Sequence, residues 1–176
     1  MTMRIDKDFL GKLFEQATMN PRLRQGFDLR TSPADNSQHM LNALLPGTVV
    51  PIHRHPSTEN VILLCGKLVE VIYEEVNPFL SPLKEEDTST FDRGMDSMNV
   101  TNGRRFQEVE HIHLDPTVSN YGCVIPKGAW HTVEVLEPSV IYEAKDGKYG
   151  EDGSETLDTF KAKETKDNTA STKTQK

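Results

Sequence analysis

The stretch "GTVVPIHRHPSTENVILLCG", residues 47–66, decides how this chain folds. It sets His53 and His55 one residue apart, puts Glu59 four residues later, and carries apolar runs on both sides. In an extended segment the side chains at i and i+2 share a face, so both imidazoles aim one way. Pro56 then favours a turn, which returns Glu59 toward the same point from the start of the next strand. Two neutral imidazoles and one carboxylate are a ligand set for a divalent transition metal such as Zn, Mn, Fe or Ni. Holding such an ion well takes one more protein group.

Working outward, that group is found in "IPKGAWH", residues 125–131. Pro126 and Gly128 build a tight turn, and His131 opens the alternation His131, Val133, Val135, which turns its ring inward with the two valines. Alone, a histidine on an inward face reads as a core residue; beside His53, His55 and Glu59 it reads as the fourth ligand.

The surrounding pattern is all-β. From Gln38 to Lys145 short β-branched and aromatic runs alternate with Pro, Gly and Asn turns, which gives strands at about 39–45, 48–53, 60–65, 67–74, 106–114, 121–126, 131–136 and 139–145. Eight short strands suit a jelly-roll barrel. Ahead of them, residues 6–18 form an amphipathic helix with Phe9, Leu13 and Ala17 on one face, an Asp6 or Asp8 cap, and a stop at Pro21. The resulting organisation is a helical lead-in over 1–37, a barrel over 38–149 with a long excursion at about 75–105, and a polar tail over 150–176. That tail has too little apolar surface to offset its ordering entropy, so it is expected to be disordered.

Order glycine, five residues, His-x-His, three residues, glutamate, six residues, glycine, from Gly47 to Gly66, resembles the first cupin motif without a gap. Pro126, Gly128 and His131 resemble the second motif, although Asn120 and Val135 stand where glycine and asparagine are usual. The resemblance implies an all-β cupin double-stranded β-helix with a short N-terminal helix, holding one divalent metal on His53, His55, Glu59 and His131. A narrower resemblance, through "NPRLRQGFDL", "QHMLNALLPGTVVPIHRHP" and "YEAKDGKYG", is to WbuC-type cupin-fold metalloproteins. It implies a bacterial, polysaccharide-related setting such as O-antigen metabolism and leaves the reaction open.

Further candidates surround the ligands. Ile141, Glu143 and Lys145 share one face of a strand; if it is inward, Glu143 and Lys145 are ionisable groups beside a metal-bound substrate, and otherwise they sit at the barrel mouth. Buried, they must pair or hydrogen-bond. Asn42 lies amid apolar residues and needs partners, from the substrate, a ligand or the backbone. Arg22 and Arg24 suit a carboxylate or phosphate. His111 and His113 form a second His-x-His without the accompanying spacing and read as exposed or structural. Cys65 and Cys123 read as free, buried thiols.

Twenty Lys+Arg against twenty-seven Asp+Glu give a net charge of −7, which argues against nucleic acid as a partner. No apolar run approaches the ~20 residues of a membrane span, and no secretory leader is apparent, so the expectation is a cytoplasmic protein with no membrane partner. Exposed strand edges favour a homodimer. Function divides between a metal-dependent enzyme on a small-molecule substrate such as a sugar, nucleotide sugar or sugar acid, isomerase- or epimerase-like, and a non-catalytic cupin that binds or senses a small ligand. An Fe(II) dioxygenase is the oxygen-chemistry alternative.

Overall fold

The computed structural model describes residues 2–76, 99–101 and 104–157. Helix α1 spans Lys7–Met19, and the Asp6 side chain caps it by accepting the Phe9 N–H at 3.0 Å. Asn20 ends it in extended geometry ahead of Pro21. Leu13 and Ala17 are buried against Leu41, Ala43 and Val140, and Phe9 meets Phe27 edge to face at 5.1 Å, so the helix covers one outer face of the sheet.

Nine strands follow among the described residues: β1 Arg24–Asp28, β2 Ser37–Leu44, β3 His53–Arg54, β4 Glu59–Val76, β5 Asn99–Thr101, β6 Arg104–Leu114, β7 Gly122–Ile125, β8 Trp130–Asp146 and β9 Glu155–Thr156. All pairings are antiparallel, in the order β1-β2-β8-β4-β6-β5, with β7 beside β4 and β3 between β8 and β9. The all-β jelly-roll class with a short N-terminal helix is as the sequence predicts.

The two long strands are the frame. The pairs of runs expected at 60–65 and 67–74, and at 131–136 and 139–145, are continuous strands, β4 and β8. Between Leu63 and Leu68 their register against each other slips repeatedly, and β4 turns there at Gly66. Gly66 has φ +92°, and a Cβ on it would stand 2.2 Å from the Pro138 carbonyl oxygen, so no other residue fits this crossing. Beyond the bend, Leu68 and Ile72 stay with Leu44, Val61, Leu63 and Ile141 in the interior, while Val69, Val71 and Tyr73 pack outward with Phe106, Trp130 and Leu157.

Three expectations change. Of 48–53, only His53 is in a strand: Pro51 has no N–H to give a ladder, and the segment is tied instead by the Thr132 hydroxyl on Val50 O and the Thr48 hydroxyl on Leu23 O. The lead-in contains a strand, β1, paired with β2. Residues 150–157, assigned above to the polar tail, fold back: β9 pairs with β3, the Leu157 N–H donates to Ile52 O at 2.8 Å, and Leu157 is buried. Composition missed this because the segment is held by polar bonds around one leucine. Residues 158–176 and most of the excursion at 75–105 lie outside the described residues; its edges belong to β4, β5 and β6.

Candidate metal centre

His53 and His55 leave β3 on one face, Glu59 opens β4, and His131 sits on β8 directly opposite His53. The His55 carbonyl accepts the Gly128 N–H at 2.9 Å, which fastens the "HRH" segment to the Pro126–Gly128 turn. Ring centroids are 4.2 Å apart for His53 and His131, 4.8 Å for His53 and His55, and 5.4 Å for His55 and His131. One ligand atom from each of His53, His55, Glu59 and His131 lies within 4.8 Å of the others.

This donor set fits a divalent ion. The Nδ1 atoms of His53 and His131 lie 2.9 and 3.1 Å from the carbonyl oxygens of Pro51 and Ala129. A carbonyl only accepts, so both rings donate from Nδ1 and aim Nε2 inward, the nitrogen each would offer an ion. His55 Nδ1 is 2.6 Å from the Ser154 hydroxyl, which bonds Asp152 Oδ2 at 2.5 Å. The Nε2 atoms of His131 and His55 are 3.2 and 3.3 Å from Glu59 Oε2. Atoms about 2.1 Å from one ion are about 3.0–3.4 Å apart at octahedral or tetrahedral angles, so these two pairs already stand at ligating separations. Burial, with the neighbouring imidazoles, lowers the His53 pKa to about 3, so the ring is neutral as a ligand must be. Burial opposes ionisation of Glu59, but hydrogen bonds from His131 and His55 and the charge of Lys145 prevail and hold it below the usual carboxylate range.

The ligands line a cavity of about 440 Å³ that also takes in Asn42, Glu143, Lys145, Arg22 and Arg24. The face carrying Ile141, Glu143 and Lys145 is thus inward. Glu143 and Lys145 each find partners, as burial requires, but different ones. Glu143 Oε2 accepts from Asn42 Nδ2 at 2.8 Å and Gln38 Nε2 at 3.1 Å, while burial and the Glu59 charge push its pKa up to about 8. Lys145 Nζ lies 3.1 Å from Asp152 Oδ2 and 3.6 Å from Glu59 Oε1, against the His55 ring at 2.7 Å from Nδ1. Arg22 is exposed and Arg24 half-buried, so both stand toward the mouth. His111 and His113 are exposed on the outer face, with His111 Nε2 3.1 Å from Glu108 Oε2. Cys65 and Cys123 are free but only partly buried.

Four groups escaped the sequence reading, Gln38 among them, which bonds Glu143. Asp152 and Ser154 belong to a segment with no apolar period. Glu70 left a signal, a lone carboxylate between Leu68 and Ile72 on an apolar strand face.

A family model described as "Domain of unknown function (DUF6016)" matches residues 5–80. No curated protein matches. Among solved structures, the Lactobacillus farciminis oxalate decarboxylase formate complex is similar at 16% identity and TM-score 0.42, over 78% of this chain and 31% of that one. An oxalate oxidase in complex with the substrate analogue glycolate gives 15%, 0.48, 80% and 58%. The capsular polysaccharide assembling protein CapF from Staphylococcus aureus gives 16%, 0.48, 78% and 32%. The all-antiparallel pairing around β4 and β8 is itself that of a jelly roll. This chain spans less than two thirds of the length of each of those proteins. No described helix is long and apolar enough to cross a membrane.

Proposed function

We propose that this protein is a divalent-metal-dependent enzyme that acts on a small polar substrate, a sugar, nucleotide sugar or sugar acid, in an isomerase- or epimerase-like reaction. The observation that carries the reading is the convergence of His53, His55, Glu59 and His131 on one point of a cavity that also holds Glu143. A metal there supplies Lewis-acid polarisation of a carbonyl or hydroxyl. Glu143, with a pKa near 8, is suited to take up and return a proton close to neutral pH, and Asn42 and Gln38 fix its orientation. Lys145 and Asp152 form a buried pair that keeps the His55 side of the site charge-balanced. Arg22 and Arg24 receive an anionic group at the mouth. The quoted WbuC-type segments support a place beside polysaccharide metabolism, and a homodimer belongs to the same reading. A sensing module would not require a proton-transfer group, and Glu143 favours the enzyme.

The test is elemental analysis of protein purified without a chelating tag, with His53→Ala beside it. One equivalent of metal that the variant loses supports the reading, and its identity separates Lewis-acid chemistry from the oxygen chemistry of iron. No metal after reconstitution refutes it.

A further inference from the structure

The metal reading makes no use of Glu70. This residue lies on β4 opposite Val133 of β8 and Ile112 of β6. It is 1% exposed and lines the cavity, and neither of its carboxyl oxygens has a partner among the described residues. Gln38, 3% exposed, gives its amide N–H to Glu143 and is left with a buried, unpartnered Oε1 in the same cavity. Each buried polar atom left unpaired costs about 1–3 kcal/mol. A leucine at position 70 would suit the apolar neighbours Val133 and Ile112 at no such cost. Unpaired acceptors retained around an open space call for a ligand that completes them.

We propose that Glu70 and Gln38 form the hydroxyl-reading floor of the pocket, and that the substrate is a polyhydroxylated molecule with an acidic substituent, a sugar acid or sugar phosphate. This rests on the metal-enzyme reading and specifies its substrate. Burial and the nearby carboxylates of Glu59 and Glu143 hold Glu70 well above the usual carboxylate range. A neutral carboxyl offers one donor and one acceptor, the complement of an alcohol, and Gln38 Oε1 adds an acceptor. Leu44, Val61, Val133 and Ile141 line the same space and suit the C–H faces of a sugar. The volume of about 440 Å³ falls within the range of small-molecule sites, ~300–1,000 Å³. Arg22 and Arg24 at the mouth face the acidic substituent.

The experiment begins with the metal content of wild type, Glu70→Leu, Glu70→Gln and Gln38→Leu. Each protein is then titrated calorimetrically with D-glucuronate and glucose 6-phosphate, with glucose and adipate as probes lacking the acid or the hydroxyls. Wild type should bind an acidic sugar at least about tenfold more tightly than glucose or adipate, the equivalent of about 1.4 kcal/mol. The stronger of the two distinguishes carboxylate from phosphate. Glu70→Leu and Gln38→Leu should each keep the metal and lose about tenfold or more in sugar affinity, while Glu70→Gln stays within about threefold. Glu70→Leu should also melt no lower than wild type, since an unpaired carboxyl is gone. Metal-loaded wild type that binds neither acidic sugar, or binding unchanged in both leucine variants, overturns the inference and leaves the metal reading intact. Absence of metal overturns the metal reading, and the same affinity comparison on the metal-free protein then decides the role of Glu70.

Discussion

Asp152→Ala should weaken metal binding although Asp152 is no ligand. Its Oδ2 accepts the Ser154 hydroxyl at 2.5 Å and stands 3.1 Å from Lys145 Nζ, and Ser154 in turn supports His55 Nδ1 at 2.6 Å. Two consequences follow from removing it. His55 loses the anchored hydroxyl that orients its ring, a type of support worth about 10–100-fold in metal affinity, or about 1.4–2.7 kcal/mol. Lys145, whose side chain is only 3% exposed, keeps Glu59 as its remaining carboxylate, 3.6 Å away, and competes with the ion for it. Both effects act against the metal, so the expected loss lies in the upper half of that range, about 30–100-fold. Ser154→Ala keeps the Lys145–Asp152 pair and should lose about tenfold. Competition against a chromophoric chelator with Zn²⁺ reads these values, with His111→Ala as a control at wild-type affinity. A folded Asp152→Ala protein whose affinity stays within about twofold of wild type would refute the assignment of this segment to the site.

Other outcomes follow from the same geometry. Either His53→Ala or His131→Ala should abolish stoichiometric metal in elemental analysis, whereas His111→Ala, on the outer face, should retain one equivalent. Gly66→Ala should destabilise the fold by at least about 3 kcal/mol in denaturant unfolding, because a Cβ at φ +92° would sit 2.2 Å from a backbone oxygen. Glu143 gives a pH signature. Its folded pKa of about 8 lies above the unfolded carboxylate value, so its contribution to stability is intact below pH about 4 and is lost as pH rises toward 8. Glu143→Gln should therefore flatten the fall in stability between those limits, measured by denaturant midpoints on the metal-free protein across pH. In the enzyme reading, the same variant should lower kcat by about 10²–10⁴-fold while leaving metal content unchanged.

The convergence of His53, His55, Glu59 and His131 was legible because its geometry is local: i and i+2 on an extended segment, a turn at Pro56, and a histidine just beyond a Pro-Gly turn. Alternation likewise placed Glu143 and Lys145 on the inward face. What alternation does not encode is which partner a buried charge finds across the barrel. Lys145 therefore turned out beside Asp152 and Glu59, and Glu143 beside Asn42 and Gln38. Local propensity also misjudged 48–53, where Pro51 shifts the tethering to side-chain hydroxyls, and 150–157, where pairing with β3 orders a polar segment that composition alone would leave loose. The merging of four expected runs into β4 and β8 depended on a single glycine whose role appears only when Pro138 is packed against it.

Strand β4 carries Glu59 on one side of Gly66 and Glu70 on the other. The distance and facing of these two carboxyls are consequently set by one piece of backbone, as marks on a ruler are set by the ruler. A one-residue insertion between Glu59 and Gly66 would turn one of them out of the cavity, because side chains alternate faces at every step. Length changes in this chain can thus be absorbed in its loops, while the eleven-residue interval from Glu59 to Glu70 is fixed by what the cavity must hold at both ends.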